Sequence, residues 1–369
     1  MSIPTVARTA SRARRFSVGA VLDRFGIALA LVLLMTILAI LSPEYFLTRE
    51  NLTNVATRIA FIAMLSLGEL LVILTAGIDL SVGAVMGLSL IVLAWSSHRL
   101  YEWYAGWYYA GAGMAASLPP PEGAVVLTTI SVVAIAATLG VGLLCGLLNG
   151  WGFTKLRLPH PFIMTLGMLN IARGAAFLIS GGSPITGLPK AIRVFGAGNI
   201  RLFQFADGEW FKIPVSFVVI VAFYFVFWVF LTQTQTGRHI YGVGGNPQAA
   251  LYAGVDVNRV LNRVYVLAGL LAGVAGVMYA GRINSGTPKA ARGGDELDAI
   301  AAVIIGGASF FGGRGTVVGT FIGVLILAFI RNGLNLLNVS VFWQEVAIGT
   351  IIITAAFVDV IRLRAGRRE

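Results

Sequence analysis

Ten apolar runs, separated by short polar or basic stretches, constrain this 369-residue chain more than any other feature. They read as 25–42, 55–75, 81–96, 123–149, 162–180, 214–232, 264–281, 297–311, 316–337 and 341–361. A bilayer span needs ~20 mostly apolar residues, so the shorter runs must take in flanking polar residues. In hydrocarbon every backbone N–H and C=O has to find its partner inside the segment, which favours helices. The expectation is an all-α polytopic membrane protein with about 10 transmembrane helices. Charged residues are 12% of the chain, against roughly 25% in a soluble domain. The 45 glycines suit helices that approach closely within a membrane.

The division expected is a basic tail over 1–24, a transmembrane domain over 25–361 and a second basic tail over 362–369. Ten spans put both termini on one side, and Lys/Arg placement selects the cytoplasmic side. It puts 15 positive residues inside, including Arg8, Arg12, Arg14, Arg15 and Arg24, and 11 outside on longer segments. The net charge of +11 thus lies beside the spans, which excludes nucleic acid as its partner. Gly26–Leu41 leads into Ser42-Pro43-Glu44 without a small-x-small cleavage pattern, so an uncleaved first helix is expected. The lone Cys145 makes no internal disulfide, and His98, His160 and His239 are too far apart in sequence to suggest a metal site.

Two outer loops stand out. His98–Glu122 carries Tyr101, Trp103, Tyr104, Trp107, Tyr108 and Tyr109 before Pro119-Pro120-Pro121. Aromatics at this density form an interfacial belt, or stack on a sugar ring. Gly181–Lys212 is glycine-rich, then mixed in charge, and is expected to fold over the outer mouth. Inside, Thr236–Arg263 is a polar, basic interruption holding one short helix. Asn246 is its N-cap, Pro247 its first residue and Gly254 its left-handed stop. Such a helix is either an ordinary structured loop or an element built to touch a partner.

The halves repeat weakly. Gly77-Ile78-Asp79-Leu80-Ser81 opens the third span and Gly294-Asp295-Glu296-Leu297-Asp298 the eighth. Asn149-Gly150 ends the fourth span, and Asn332-Gly333 lies near the end of the ninth. Equivalent pieces five spans apart have opposite orientation, which points to an inverted repeat of two five-helix halves. Asp79 and Ser81, like Glu296 and Asp298, either cap their helices against the positive dipole end or line a path through the membrane. Glu69 and Arg173 lie deepest among the charges. Such groups face a partner or a wet cavity; they pair with each other, or Arg173 serves backbone carbonyls. Asn170, one turn from Arg173, is a candidate for hydrogen-bonding a polyol.

No GxxxxGK[ST] is present, and Gly242–Gly245 and Gly312–Gly315 lack the lysine and hydroxyl of a phosphate loop. No catalytic residues, triad or zinc-protease motif appear, so the chain is not read as an enzyme. Few carboxylates lie in the membrane, which argues against ion coupling. Energy comes from elsewhere, or transport is passive.

ILTAGIDLSVGAVMGL (73–88), LNGWGFTKLRLPHPFIMTLGMLNIARG (148–174), GGSPITG (181–187), GRHIYGVGGNPQAALYAGVDV (237–257) and ELDAIAAVIIGGASFFGGRGTVVGTFIGVLI (296–326) resemble the ribose/xylose/galactose-type permeases of bacterial ABC importers. The likeness runs in order from about residue 50 to 361, and GIDLSVG and ELDAIAAVIIGG are its most specific parts. It implies a type II ABC importer-like fold in the inner membrane, with a second copy or a close paralogue as partner. It also implies a cytoplasmic ATPase with two nucleotide-binding domains, which holds ATP and Mg, and a periplasmic sugar-binding protein; no cofactor binds this chain. Asn246, Pro247, Gln248, Ala249, Ala250, Leu251 and Gly254 then match the family's coupling helix. There are departures: Ala76 replaces a common glycine, Leu251-Tyr252 a stretch that commonly includes Arg, and Glu69 an uncharged residue. A permease for branched-chain amino acids, an ion-coupled secondary carrier and a membrane scaffold remain as alternatives.

Overall fold

The computed structural model describes residues 18–112, 123–205, 208 and 210–366. Arg8, Arg12, Arg14 and Arg15 of the first tail, Arg367 and Arg368 of the second, and Pro119-Pro120-Pro121 lie outside the described residues. The helices are α1 (Val18–Leu41), α2 (Arg49–Leu74), α3 (Val82–Ala112), α4 (Ala124–Lys155), α5 (Phe162–Ser180), α6 (Lys190–Ala197), α7 (Val215–Gln233), α8 (Gln235–Gly245), α9 (Pro247–Tyr252), α10 (Val257–Ile283), α11 (Asp295–Ile305), α12 (Val317–Leu336) and α13 (Val341–Gly366). Four short strands join them: β1 (Ile185–Thr186), β2 (Asn199–Gln204), β3 (Trp210–Pro214) and β4 (Ser285–Gly286). β1 pairs antiparallel with β4, and β2 with β3.

Among the described residues, eight helices are long and apolar enough to cross a membrane: α2, α3, α4, α5, α7, α10, α12 and α13. Every one of the ten expected runs is helical over most of its length, with three corrections. The first run, in α1, is the shorter apolar helix Phe25–Leu41 and is not among the eight. The eighth run is not a full span: α11 has 11 residues and rises about 16 Å, because Gly306 and Gly307 end it in a turn. The third run is longer than expected, since α3 continues through the aromatic stretch to Ala112. Trp and Tyr are compatible with a helix, and no glycine or proline pair stops it before residue 112. The residues read as an outer aromatic loop are thus the far end of a helix.

α10 is the centre of the fold. It packs on α2, α3 and α4, and its buried face is rich in Gly and Ala. At its crossing with α4, a Cβ on Gly142 would strike the Gly269 carbonyl, and one on Gly269 the Gly142 carbonyl. Only hydrogen at both positions lets these backbones meet, the small-residue packing typical of membrane helices. Apolar side chains such as Val132, Leu144 and Leu147 on α4 and Val221, Phe225 and Val226 on α7 point outward and are exposed. Such a face is stable against lipid. The chain is a multi-pass, all-α membrane protein.

Candidate functional site

The polar interruption at 236–263 holds α8, α9 and the first turns of α10, one helix more than its composition suggested. α9 is capped at both ends. Asn246 Oδ1 accepts from the Ala249 N–H at 3.0 Å, with Pro247 at the first helical position. At the other end Gly254 has φ +83°. There the Val255 N–H reaches the Ala250 carbonyl at 3.0 Å and the Gly254 N–H the Leu251 carbonyl at 2.9 Å, the paired bonds of a Schellman stop. Ala250 is buried against the rest of the protein. Gln248 and Ala249 are exposed, as are Leu251 at 59% and Tyr252 at 87%. A rigid single turn and a half therefore presents an apolar tip outward.

Behind α9, α8 is wedged between two breaks in the membrane helices. The Gly313 N–H donates to the Leu74 carbonyl at 2.9 Å. A Cβ on Gly244 would strike that same carbonyl and the Gly313 N–H. Tyr241 Oη donates to the Gly315 carbonyl at 2.8 Å. This junction brings together α8, the end of α2 and the α11–α12 loop. Sequence reasoning noticed the glycines only as failed phosphate loops, since a glycine does not reveal which backbone approaches it.

The first break, Thr75–Ser81, contains a fully buried polar knot. Asp79 Oδ1 accepts from the Ser81 N–H at 2.8 Å and from Ser81 Oγ at 2.6 Å. Asn149 on α4 donates to Ser81 Oγ at 2.9 Å. Asp79 thus fastens the residues just before α3 and makes no bond to the helix's own first turn. Glu69 and Tyr265 face the same spot. Glu69 is 0% exposed and Tyr265 1%. Neither Glu69 carboxyl oxygen makes a hydrogen bond among the described residues. Glu69 does not pair with Arg173. Tyr265, one aromatic in an apolar run, carried no signal in the sequence.

The second break starts α11. Gly294 is left-handed at its entry and makes no side-chain cap bond, while Glu296 and Asp298 lie in the first turn, at the positive end of the helix dipole. Both acids point sideways into arginines. Arg173 Nη2 meets Glu296 Oε1 at 3.1 Å, and Arg173 Nε donates to the Ala291 carbonyl at 2.8 Å. Arg331 Nη2 meets Asp298 Oδ1 at 2.7 Å and Arg331 Nη1 meets Glu345 Oε1 at 3.2 Å. The two breaks touch: a Cβ on Gly83, in the first turn of α3, would collide with the Glu296 carboxyl. Asn149 near the end of α4 holds Ser81 before α3, and Arg331 near the end of α12 holds Asp298 in α11, whereas Asn332, the expected counterpart of Asn149, bonds Asn51 instead. Asn170 is exposed and donates to its own helix at the Leu166 carbonyl, so it joins neither cluster.

Beside the second break lies a cavity of about 410 Å³ between α2, α10, α11, α12 and α13, within the volume range of small-ligand sites. Arg58, Arg282, Asp295, Asp298, Arg331 and Asn332 line it, together with Phe61 and Tyr279, whose rings stack at 4.5 Å. Hydrogen-bonding groups beside aromatic faces can hold a polar ring. No His/Cys/Asp/Glu group suited to a metal ion occurs among the described residues.

The family described as "Branched-chain amino acid transport system / permease component" matches residues 51–356. The ribose import permease protein of Bacillus subtilis (strain 168) is 38% identical over 346 residues, covering 94% of this chain and 95% of the relative. The D-allose transport system permease protein of Escherichia coli (strain K12) is 36% identical, covering 96% and 97%. The fructose import permease protein of Rhizobium meliloti is 34% identical, covering 90% and 83%. Among solved structures there is no significant match. With the family matched across both helix breaks and the capped α9, this chain belongs to the family of transport-system permease components.

Proposed function

We propose that this chain is the membrane-spanning permease subunit of an ATP-driven importer for a monosaccharide (a pentose, a hexose or a related polyol) that works by alternating access. The observation that carries this reading is the end-to-end match to relatives named for ribose, D-allose and fructose import. ATP and Mg belong to a separate cytoplasmic ATPase with two nucleotide-binding domains, and a periplasmic binding protein delivers the sugar. A second copy or a close paralogue completes the central path in the inner membrane. The Lys/Arg distribution favours both termini in the cytoplasm.

α9 is the coupling helix in this reading. Its exposed Leu251 and Tyr252 are the residues that enter a cleft on the ATPase, and its two caps make it a rigid lever. The glycine junction carries the movement from α8 to the end of α2 and to the α11–α12 loop. Arg173, Glu296 and Asp298 then act at the gate beside the cavity. Glu69, Asp79 and Ser81 are buried from any path in this conformation and serve as the hinge of the first break. Asn170 is exposed on α5 and takes no part in the gate.

The family's own description favours a second reading, import of branched-chain amino acids. Against it stands the end-to-end likeness to relatives named for ribose, D-allose and fructose import; the cavity, lined by Val55, Ile59, Ile62, Val324 and Leu327 as well as by charged groups, suits either class. The test is reconstitution in liposomes with the cognate ATPase and binding protein, comparing labelled ribose, allose, fructose and leucine. ATP-dependent uptake of a sugar supports the importer. Uptake of leucine alone favours the second reading, and uptake driven by an ion gradient without ATPase or ATP overturns both.

A further inference from the structure

A cavity of about 850 Å³ opens where the ends of α4, α7 and α10 meet, close to the root of α9. Its lining joins basic, neutral polar and apolar residues. Lys155 is the last residue of α4, and Arg259 and Arg263 sit on the first two turns of α10; all three are exposed. The single acid in the lining, Asp256, is occupied: it caps α10 by accepting from the Arg259 N–H at 3.0 Å and lies 3.6 Å from that guanidinium. Lys155 and Arg263 therefore have no ion-pair partner among the described residues, and Arg263 follows the positive end of the α10 dipole. Leu147 on α4, Phe230 on α7 and Val266 and Leu267 on α10 supply its apolar part. From there the surface runs into the exposed apolar faces of α4 and α7 described above. A cationic floor that opens onto a lipid-facing apolar wall is not shaped for a soluble anion alone.

We propose that this fissure binds an anionic phospholipid, with its phosphate on Lys155, Arg259 and Arg263 and its acyl chains along α4 and α7. Basic pockets between membrane helices hold such headgroups. The inference rests on the chain spanning a membrane and not on the substrate it carries. A lipid here ties the end of α4 to the start of α10, the helix that continues directly from α9, and so stiffens the base of that element.

The test uses the full chain in mild detergent, titrated with phosphatidylglycerol or phosphatidylcholine of matched chains and followed by native mass spectrometry. The expected result is selective retention of phosphatidylglycerol. One cation at a membrane surface is worth roughly fivefold in affinity; the Lys155→Gln/Arg259→Gln/Arg263→Gln variant should therefore bind that lipid roughly a hundredfold more weakly. Phosphatidylcholine retention should not change. Lys155→Gln and Arg263→Gln alone, each losing about fivefold, answer the question if the triple variant does not fold. Neutralising Lys190, Arg193 and Arg201 at the other end of the bundle should leave retention intact. Equal retention of both lipids, an equal loss in that control, or equal competition by free glycerol phosphate would overturn the proposal. So would a triple variant that keeps the lipid but no longer co-purifies with an ATPase, which would assign the cations to a protein contact.

Discussion

Gly313 and Leu74 are 239 positions apart, yet the N–H of one bonds the carbonyl of the other at 2.9 Å. Gly244 lies against both. A force on α8 is therefore felt at the end of α2 and at the loop after α11 through backbone contacts, without a flexible side chain between them. Gly244→Ala should cost about 3 kcal/mol, because the methyl group meets backbone that cannot rotate away. Gly242→Ala, two residues earlier, meets nothing within 4 Å and should be neutral or slightly stabilising. Thermal unfolding of the two variants in detergent compares them directly; equal midpoints would remove the junction from the argument.

Ala76 adjoins that junction at φ +60°, a left-handed conformation that costs a residue with a Cβ about 1–2 kcal/mol. The resemblance led us to expect glycine there. Ala76→Gly should hold or raise stability by up to about 1 kcal/mol, the relief being partly offset by the freer unfolded chain. Ala76→Val should lower it by at least about 1 kcal/mol. The ranking Gly, Ala, Val in unfolding midpoint is the check, and a reversed order would mean that this corner is not strained.

The lever role of α9 predicts a separation of two activities. Asn246→Ala removes a cap worth about 1 kcal/mol, and Gly254→Val opposes the left-handed stop. Both should leave the amount of protein in the membrane unchanged. In the reconstituted importer, ATP hydrolysis should continue while sugar uptake per ATP falls, more severely for Gly254→Val. Wild-type uptake in both variants would show that a rigid α9 is not needed.

Arg173 is 28% exposed in its side chain and Glu296 7%, so solvent reduces the value of their pair without removing it. Arg173→Met should cost about 2 kcal/mol, chiefly by leaving Glu296 without its guanidinium. Arg173→Met combined with Glu296→Gln should recover part of that loss. A double-mutant cycle on unfolding midpoints measures the coupling, and strict additivity would mean that the pair contributes nothing.

Glu69 gives the opposite sign. Its oxygens are buried without a hydrogen bond among the described residues, and burial of an uncompensated carboxyl is unfavourable. Glu69→Gln keeps the shape, cannot ionise and should raise stability by about 1 kcal/mol. A clear loss of stability would mean that the carboxyl itself has a partner that the amide cannot replace.

How much of this was legible in the sequence differs by element. The apolar runs were visible because a membrane imposes one length and one chemistry on every crossing. The stop at Gly306 and Gly307 was hidden among small apolar residues, so α11 read as a longer run. Asn246, Pro247 and Gly254 were readable because capping is local chemistry, settled within nine residues. Arg173 was recognised as needing a partner, but its choice of Glu296 over Glu69 depends on how three distant helices cross. The polar knot at Asp79 was half visible: Ser81 is two residues away, whereas Asn149 and Tyr265 arrive from α4 and α10. Sequence proximity sets the first kind of contact and packing the second.

The pairing of β1 with β4 involves only two residues on each side. Thr186, in β1, also accepts from His98 Nε2 at 2.8 Å, so α3, α5 and α10 are stitched together at the same end. Two backbone strands in register resist sliding along each other but tolerate a change of angle. α3 and α10 are held near both ends, however, by this clasp and by the contacts of Asn149 and Gly146 on α4 with Ser81 and Tyr265, so they can move only as one block.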